Sequence, residues 1–291
     1  MTHRRTFIKQ SGLALAATTI LPSIVFNETK KHPIGLQLYS LRETIGSDVK
    51  GTLAKVADLG FKEVETYGYS QENKFWGLSV KEFKSILDDN GLTTPSGHYG
   101  VDPFLAQGGT KDDFAFNLDV ANELGQKYVI VPYIGGNLRN SIDDYKRLSQ
   151  KLNEAGEMCR KAGLKLGYHN HDFEFTDYNG QNGLETFLAN TDKKNVVFEM
   201  DIYWVVRAGR DPIEFMNKYP GRFPLWHVKD MSKKNEDLNT EIGNGSIDYK
   251  AIFNEMKKSG AKHLIIEQEN FEMDAYKSLA QSIEYINNDL L

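Results

Sequence analysis

The stretch Gly163 to Phe175, GLKLGYHNHDFEF, decides how this chain folds. It follows the helical pattern Tyr145 to Ala162, and Gly163 stands where a helix ends in a left-handed residue that glycine adopts without strain. The next residues alternate as a strand does, so Lys165, Gly167, His169 and His171 share one face. Two imidazoles therefore stand together at the carboxyl end of a predicted strand. An isolated His-x-His is more often a structural pair at a sheet margin than a metal or catalytic site. What other strands end in decides between them.

The same unit recurs along the chain. Apolar, β-rich segments are predicted at Ile34 to Tyr39, Phe61 to Thr66, Leu92 to His98, Lys127 to Pro132, Lys165 to His171, Asn195 to Asp201, Phe223 to Lys229 and Lys262 to Gln268. Helical patterns separate them, among them Val49 to Leu59, Ser79 to Asn90, Asp112 to Leu124 and Tyr145 to Ala162. Gly60, Gly91, Gly125, Gly163 and Gly260 each end a helix one to three residues before a strand. Eight βα units without a Gly/Ser-rich or Pro-rich linker predict an α/β fold, a single (β/α)8 TIM barrel over residues 27–291. A doubly wound sheet is the main rival, and it requires a glycine-rich phosphate loop that Gly35-Leu-Gln-Leu38 does not provide. The longest irregular stretch, Lys233 to Asp248, lies between strands seven and eight and is polar enough for a lid.

Residues 1–26 read as a targeting segment. Arg4-Arg5-Thr6-Phe7-Ile8-Lys9 is a twin-arginine pattern followed by an apolar Ala/Thr-rich run, so export in a folded state to the periplasm is expected. The run is too short for a comfortable membrane span, and no cysteine follows to carry a lipid, so the product is expected to be soluble. Removing the segment takes away Arg4, Arg5 and Lys9 and no acid, which moves the formal charge from −5 to −8. That sign opposes a nucleic-acid groove, and an endonuclease of the related abasic-site barrels with it. The single cysteine, Cys159, excludes an intramolecular disulfide framework. A homo-oligomer is left open.

In a barrel the site lies at the carboxyl ends of the strands. His98, His169, His171 and His227 all fall there, whereas His32 and His263 fall at amino ends. Glu65 on strand two, Asp201 ending strand six and Glu267 near the end of strand eight join the four imidazoles. Parity pairs His227 with Lys229, Glu267 with Glu269, and Glu199 with Asp201. A mixed set of His, Asp and Glu suits a divalent metal, Mn²⁺, Co²⁺, Zn²⁺ or Mg²⁺, and the lack of Cys argues against a structural zinc site. An ion of this kind is a Lewis acid for proton abstraction α to a substrate carbonyl, and an imidazole within reach is a base suited to neutral pH.

Tyr168 to Phe175, Trp226 to Met231, Gly243 to Asp248 and Ile265 to Glu269 together resemble the xylose-isomerase-like barrels, the sugar phosphate isomerase/epimerase group. That group includes inosose dehydratases, ketose 3-epimerases and enzymes acting on 3-keto-glycosides. The resemblance covers essentially the whole chain after the signal and implies one metal ligand at the end of each of strands five to eight, most often Glu, Asp, His, Glu. By position the last three are Asp201, His227 and Glu267. Strand five departs from the pattern, because Glu-x-His becomes His169-Asn170-His171. Either His169 takes the place of the glutamate, as parity favours, or Glu174 folds back from the following loop. His171 then corresponds to the supporting or catalytic histidine of the family.

The roles assigned are His171 as base or acid, Lys229 as electrophile or proton donor, and Glu267 in the catalytic set as well as the ligand set. Glu65 and His98 are assigned to substrate positioning, and Tyr39, Trp76 and Trp204 to stacking on a sugar face. Plainer alternatives stand beside these: Lys229 as partner of Asp230 or Glu199, Glu65 as a polar cap, the aromatics as core, and Asp102 as a loop cap. The expected protein is a metal-dependent isomerase, epimerase or carbon–oxygen lyase acting on an unphosphorylated keto-sugar or keto-glycoside. The alternative is a periplasmic carbohydrate-binding barrel without turnover.

Overall fold

The computed structural model describes residues 32–291, and the predicted export signal lies outside them. Eight parallel strands close into a barrel: β1 Ile34–Gln37, β2 Glu63–Thr66, β3 Thr93–His98, β4 Tyr128–Val131, β5 Lys165–His169, β6 Val196–Asp201, β7 Leu225–Val228 and β8 His263–Ile266. Each strand pairs with its sequence neighbours, and β1 pairs with β8 to seal the ring. All eight lie within the segments predicted for them, trimmed at the ends where the chain turns into loops or helices.

The glycines read as helix stops all have positive φ, from 63° at Gly91 to 97° at Gly60. Gly125 shows why: at φ 77° its N–H bonds back to Asn122 O at the end of the helix Asp112–Leu124, and the chain turns directly into β4. An L-residue there would carry backbone strain. The long helix begins earlier than its apolar pattern, at Ile142, because the Ser141 hydroxyl accepts the Asp144 N–H and caps it. Asp102 does tie loops together, accepting the Gly135 N–H at 3.2 Å.

Parallel strands are buried on both faces, and the two faces here differ in chemistry. Outward, Val129, Leu166, Phe198, Trp226 and Leu264 pack under the helices. Inward, Tyr128, Ile130, Val197, Leu225 and Ile265 form an apolar layer across the middle of the barrel. Gly167 leaves the space that the Ile130 side chain fills, since a Cβ there would stand 2.3 Å from Ile130 Cδ1. At the amino ends His263 pairs with Glu63 at 2.8 Å, well away from the other histidines, as its position in sequence predicts. The polar residues gather above the apolar layer.

Two expectations are corrected. The stretch after β7 is tied down: Asp230–Met231 and Asn239–Thr240 form an antiparallel ribbon, and the Asp230 carboxylate accepts the N–H groups of Gly243, Gly245 and Ile247. Asp230 is therefore the hub of its own loop and not the partner of Lys229. Cys159 is fully buried, and burial pushes its thiol well above the usual range. No helix among the described residues is long and apolar enough to cross a membrane.

Candidate metal centre and its cavity

Strand ends place each group. At β6 the strand turns directly into the helix Ile202–Arg207, and Asp201 caps that helix through Oδ1, which accepts the Trp204 N–H at 3.1 Å. The cap orients the carboxylate, and Oδ2 turns inward, fully buried and without a hydrogen-bond partner. At β5 the middle residue of His-Asn-His points to the opposite face. Asn170 Nδ2 donates to Asp201 O at 3.2 Å, and Asp201 N donates to Asn170 Oδ1 at 3.1 Å. This reciprocal pair locks the ends of β5 and β6 in register, which sets His169 beside Asp201.

Around Asp201 Oδ2 stand His169 Nε2 at 3.7 Å and His227 Nδ1 at 4.0 Å. Glu267 Oε2 lies 3.1 Å from His227 Nδ1. Ligand atoms of His169, Asp201, His227 and Glu267 all fall within 4.8 Å of one another. The donor set fits a divalent ion, two imidazoles and two carboxylates being a common N/O combination. An orphaned buried oxygen aimed into the set supports the same fit. Burial lifts the Asp201 carboxyl to about 7, although Lys229 and His227 pull it down.

The other assigned residues divide into three groups. His98, His169, His171, Tyr39, Trp204 and Glu267 line a cavity of about 420 Å³ above the centre. Glu65 and Lys229 are buried beneath or beside it. Trp76 and Glu174 stand apart. Trp76, half-buried, packs against the core on Tyr67 and Phe83, the latter in the helix Val80–Asp89, and does not line the cavity. Glu174 is fully buried, accepts the Tyr168 hydroxyl and the His171 N–H, and is absent from the converging set. Tyr168 lies on the outward face of β5, so its partner Glu174 is held outside the ring. His169 is the strand-five group that faces Asp201, and the alternative through Glu174 is not what this arrangement presents.

Lys229 has neither partner expected of it in the plainer reading. Its ammonium pairs with Glu267 at 3.3 Å, with Glu269, and lies 3.9 Å from Asp201. Burial opposes that charge, but the Glu267, Asp201 and Glu269 carboxylates outweigh it and hold the group above its ordinary range. Lys229 is thus a fixed positive charge, better suited to electrostatic stabilisation than to giving up a proton. Burial likewise opposes ionisation of Glu267, and Lys229 and His227 reverse the effect and hold it well below the usual carboxylate range.

His171 is the neutral base candidate. Burial and the nearby Lys229 charge push it down to about 3, and its Nδ1 has no hydrogen-bond partner. Its ring stacks on Phe173 at 5.2 Å, and Arg139 covers the Phe173 ring at 3.4 Å. Tyr133, at the edge of His171, completes that wall. Glu65 is not at the mouth: it accepts from Gln37 at 2.8 Å and stands 2.7 Å from His227 Nε2. His98 Nε2 bridges Glu199 at 2.8 Å and Glu65 at 3.0 Å, and those carboxylates outweigh its burial and push it up to about 9.

Residues the sequence left unassigned complete the arrangement: Asn170, Gln37, Glu199, Glu269, Tyr67 and Tyr133. Parity did place Glu199 on the face of Asp201 and Glu269 on the face of Glu267, without giving either a role, and it could have found Asn170 as the outward member of His-Asn-His. Nothing local marks Gln37 or Tyr133, which belong to the site only because the barrel closes.

A family model for the xylose isomerase-like TIM barrel matches residues 53–288. Among curated proteins, an inosose dehydratase of Clostridium beijerinckii is 24% identical over 266 residues, covering 80% of this chain and 84% of that protein. Among solved structures, a sugar phosphate isomerase/epimerase from Parabacteroides distasonis superposes with a TM-score of 0.79 at 29% identity, covering 90% of this chain and 96% of that one. A probable 3-DHS dehydratase from Bacillus anthracis has the same fold, with a TM-score of 0.70 at 14% identity over 88% of this chain and 99% of that one. With the match spanning most of the barrel, the chain belongs to the xylose isomerase-like TIM barrel family.

Proposed function

We propose that this protein is a divalent-metal-dependent enzyme that removes a proton α to the carbonyl of an unphosphorylated keto-sugar or keto-glycoside. The outcome is isomerisation, epimerisation or elimination. The observation that carries the proposal is the convergence of His169, Asp201, His227 and Glu267 at the floor of a cavity that a neutral, unpartnered His171 also lines. The inosose dehydratase and sugar isomerase/epimerase relatives are in keeping with both a sugar-sized substrate and carbanion chemistry.

His169, Asp201, His227 and Glu267 would hold the ion, which supplies Lewis-acid polarisation of a bound carbonyl. The protein residues do the rest. His171, uncharged at neutral pH, accepts the proton from the carbon beside the carbonyl, and as the resulting imidazolium can return it. The fixed Lys229 ammonium stabilises negative charge developing nearby. Trp204, Tyr39 and Tyr133 offer ring faces and edges to the apolar side of a sugar. Localisation belongs to the same proposal: the Arg4-Arg5 pattern supports export, and the absence of a glycine-rich phosphate nest in the sequence accords with a substrate found outside the cytosol.

The test is exchange in D₂O. Full chain supplied with Mn²⁺ is incubated with a panel of unphosphorylated keto-sugars, and C–H loss is followed by NMR. Exchange is expected with metal, and is expected to vanish on chelation and in His171→Ala. If no sugar exchanges and chelation changes nothing, the enzyme proposal is overturned. Sugar binding that survives both treatments would then favour the non-catalytic barrel. Export is checked by fractionating a host that carries Arg4→Lys with Arg5→Lys; an unchanged distribution would count against the signal.

A further inference from the structure

Each imidazole of the centre has a second nitrogen, and those nitrogens point away from Asp201 and Glu267 into a lower layer of carboxylates. His169 Nδ1 lies 3.2 Å from Glu199 Oε2. His227 Nε2 lies 2.7 Å from Glu65 Oε1 and 3.3 Å from Glu199 Oε2. His98 braces the two carboxylates from one nitrogen, and Gln37 fixes Glu65 from the other side while its own Oε1 accepts the Tyr39 N–H at 2.9 Å. Glu65 and Glu199 are fully buried, and their second oxygens have no hydrogen-bond partner. Burying two carboxylates is costly, and the single His98 imidazole that bridges them, held protonated by both, offsets only part of that cost. Their placement under the imidazoles requires a reason beyond packing.

A neutral imidazole that binds a metal through one nitrogen keeps a proton on the other. A carboxylate accepting that N–H fixes the tautomer and the ring orientation and raises the basicity of the ligating nitrogen. Resting on the metal-centre reading above, we propose that Glu199 and Glu65 are positioning residues for the ion. Glu199 holds His169 as the Nδ1–H tautomer and Glu65 holds His227 as the Nε2–H tautomer, so that His169 Nε2 and His227 Nδ1 face Asp201 and Glu267. The two rings use opposite nitrogens because they enter from β5 and β7, on either side of β6.

A competing arrangement is also within reach of the same residues. His98, His169, Glu199 and His227 offer atoms mutually within 4.8 Å, so an ion could sit one layer lower. It would have to displace the bridging contact of His98 with Glu199 and Glu65, and it would leave Asp201 Oδ2 buried and unpartnered. The two arrangements exchange the roles of Glu199 and Asp201, which makes them separable by experiment.

Mn²⁺ or Co²⁺ alone is titrated into the full chain and followed by calorimetry and, for Co²⁺, by visible absorption. Glu199→Gln and Glu65→Gln are expected to bind ~10- to 100-fold more weakly with unchanged stoichiometry and an altered Co²⁺ spectrum. Asp201→Asn is expected to lose binding. In parallel, long-range ¹H–¹⁵N spectra of wild-type protein loaded with Zn²⁺ should show His169 as the Nδ1–H form and His227 as the Nε2–H form, a measurement that does not depend on any variant folding. The opposite tautomers, or unaltered affinity in Glu199→Gln, would overturn the proposal. So would loss of binding in Glu199→Gln with binding retained in Asp201→Asn, which places the ion in the lower layer. If wild-type protein binds neither metal, the metal-centre reading itself is overturned, and this inference with it.

Discussion

Asn170→Ala should destabilise this protein well beyond an ordinary single substitution. The Asn170 side chain is 2% exposed and makes two reciprocal hydrogen bonds with the backbone of Asp201, at 3.1 and 3.2 Å. Alanine removes both and leaves the Asp201 N–H and C=O without those partners in a dry interior. Each stranded group costs about 1–3 kcal/mol, so the pair costs about 2–6 kcal/mol. For a domain of this size each kcal/mol lowers Tm by about 2–4 °C, which places the expected fall at roughly 4–24 °C. Thermal unfolding of metal-free protein followed by circular dichroism measures it. A second readout follows from geometry, because Asp201 and His169 share this anchor: affinity for Mn²⁺ should fall together with stability. A midpoint within about 1 °C of wild type would refute the reasoning, since the ends of β5 and β6 would then be held by something other than this amide.

Two further outcomes are expected. The Glu174 carboxyl is lifted by burial from its ordinary 4.5 to about 7, so the folded chain binds that proton more tightly than the unfolded one. Its contribution to stability is therefore complete below pH 4.5 and is lost as pH rises to about 7; Glu174→Gln should lose less stability across that interval than wild type in urea titrations, and equal slopes would count against it. Gly167→Ala places a methyl 2.3 Å from Ile130 Cδ1 in the middle of the barrel and should cost ~1–3 kcal/mol, with part recovered by adding Ile130→Val. No recovery in the double variant would show that the strain lies in the backbone and not in the contact between the two side chains.

The amino-acid sequence by itself determined the barrel and the mouth at which its polar residues collect. Both follow from local rules: a period of two along each strand, a period near 3.6 along each helix, and a glycine where φ turns positive, as at Gly125 and Gly163. Parity alone placed His169, Asp201, His227 and Glu267 on inward faces. Only the tertiary structure decided how those faces meet. The register Asp201↔His227 and His169↔Glu199 sets which carboxylate stands beside which imidazole, and it is a property of strand pairing between segments far apart in the chain. Barrel closure then sank Glu65 beneath His227 instead of leaving it at the mouth, turned Lys229 toward Glu267 and Glu269, and held Glu174 against Tyr168 on the outer side of β5. Local periodicity specifies the direction of a side chain. Its partner depends on distances across the ring, which exist only once all eight strands have closed.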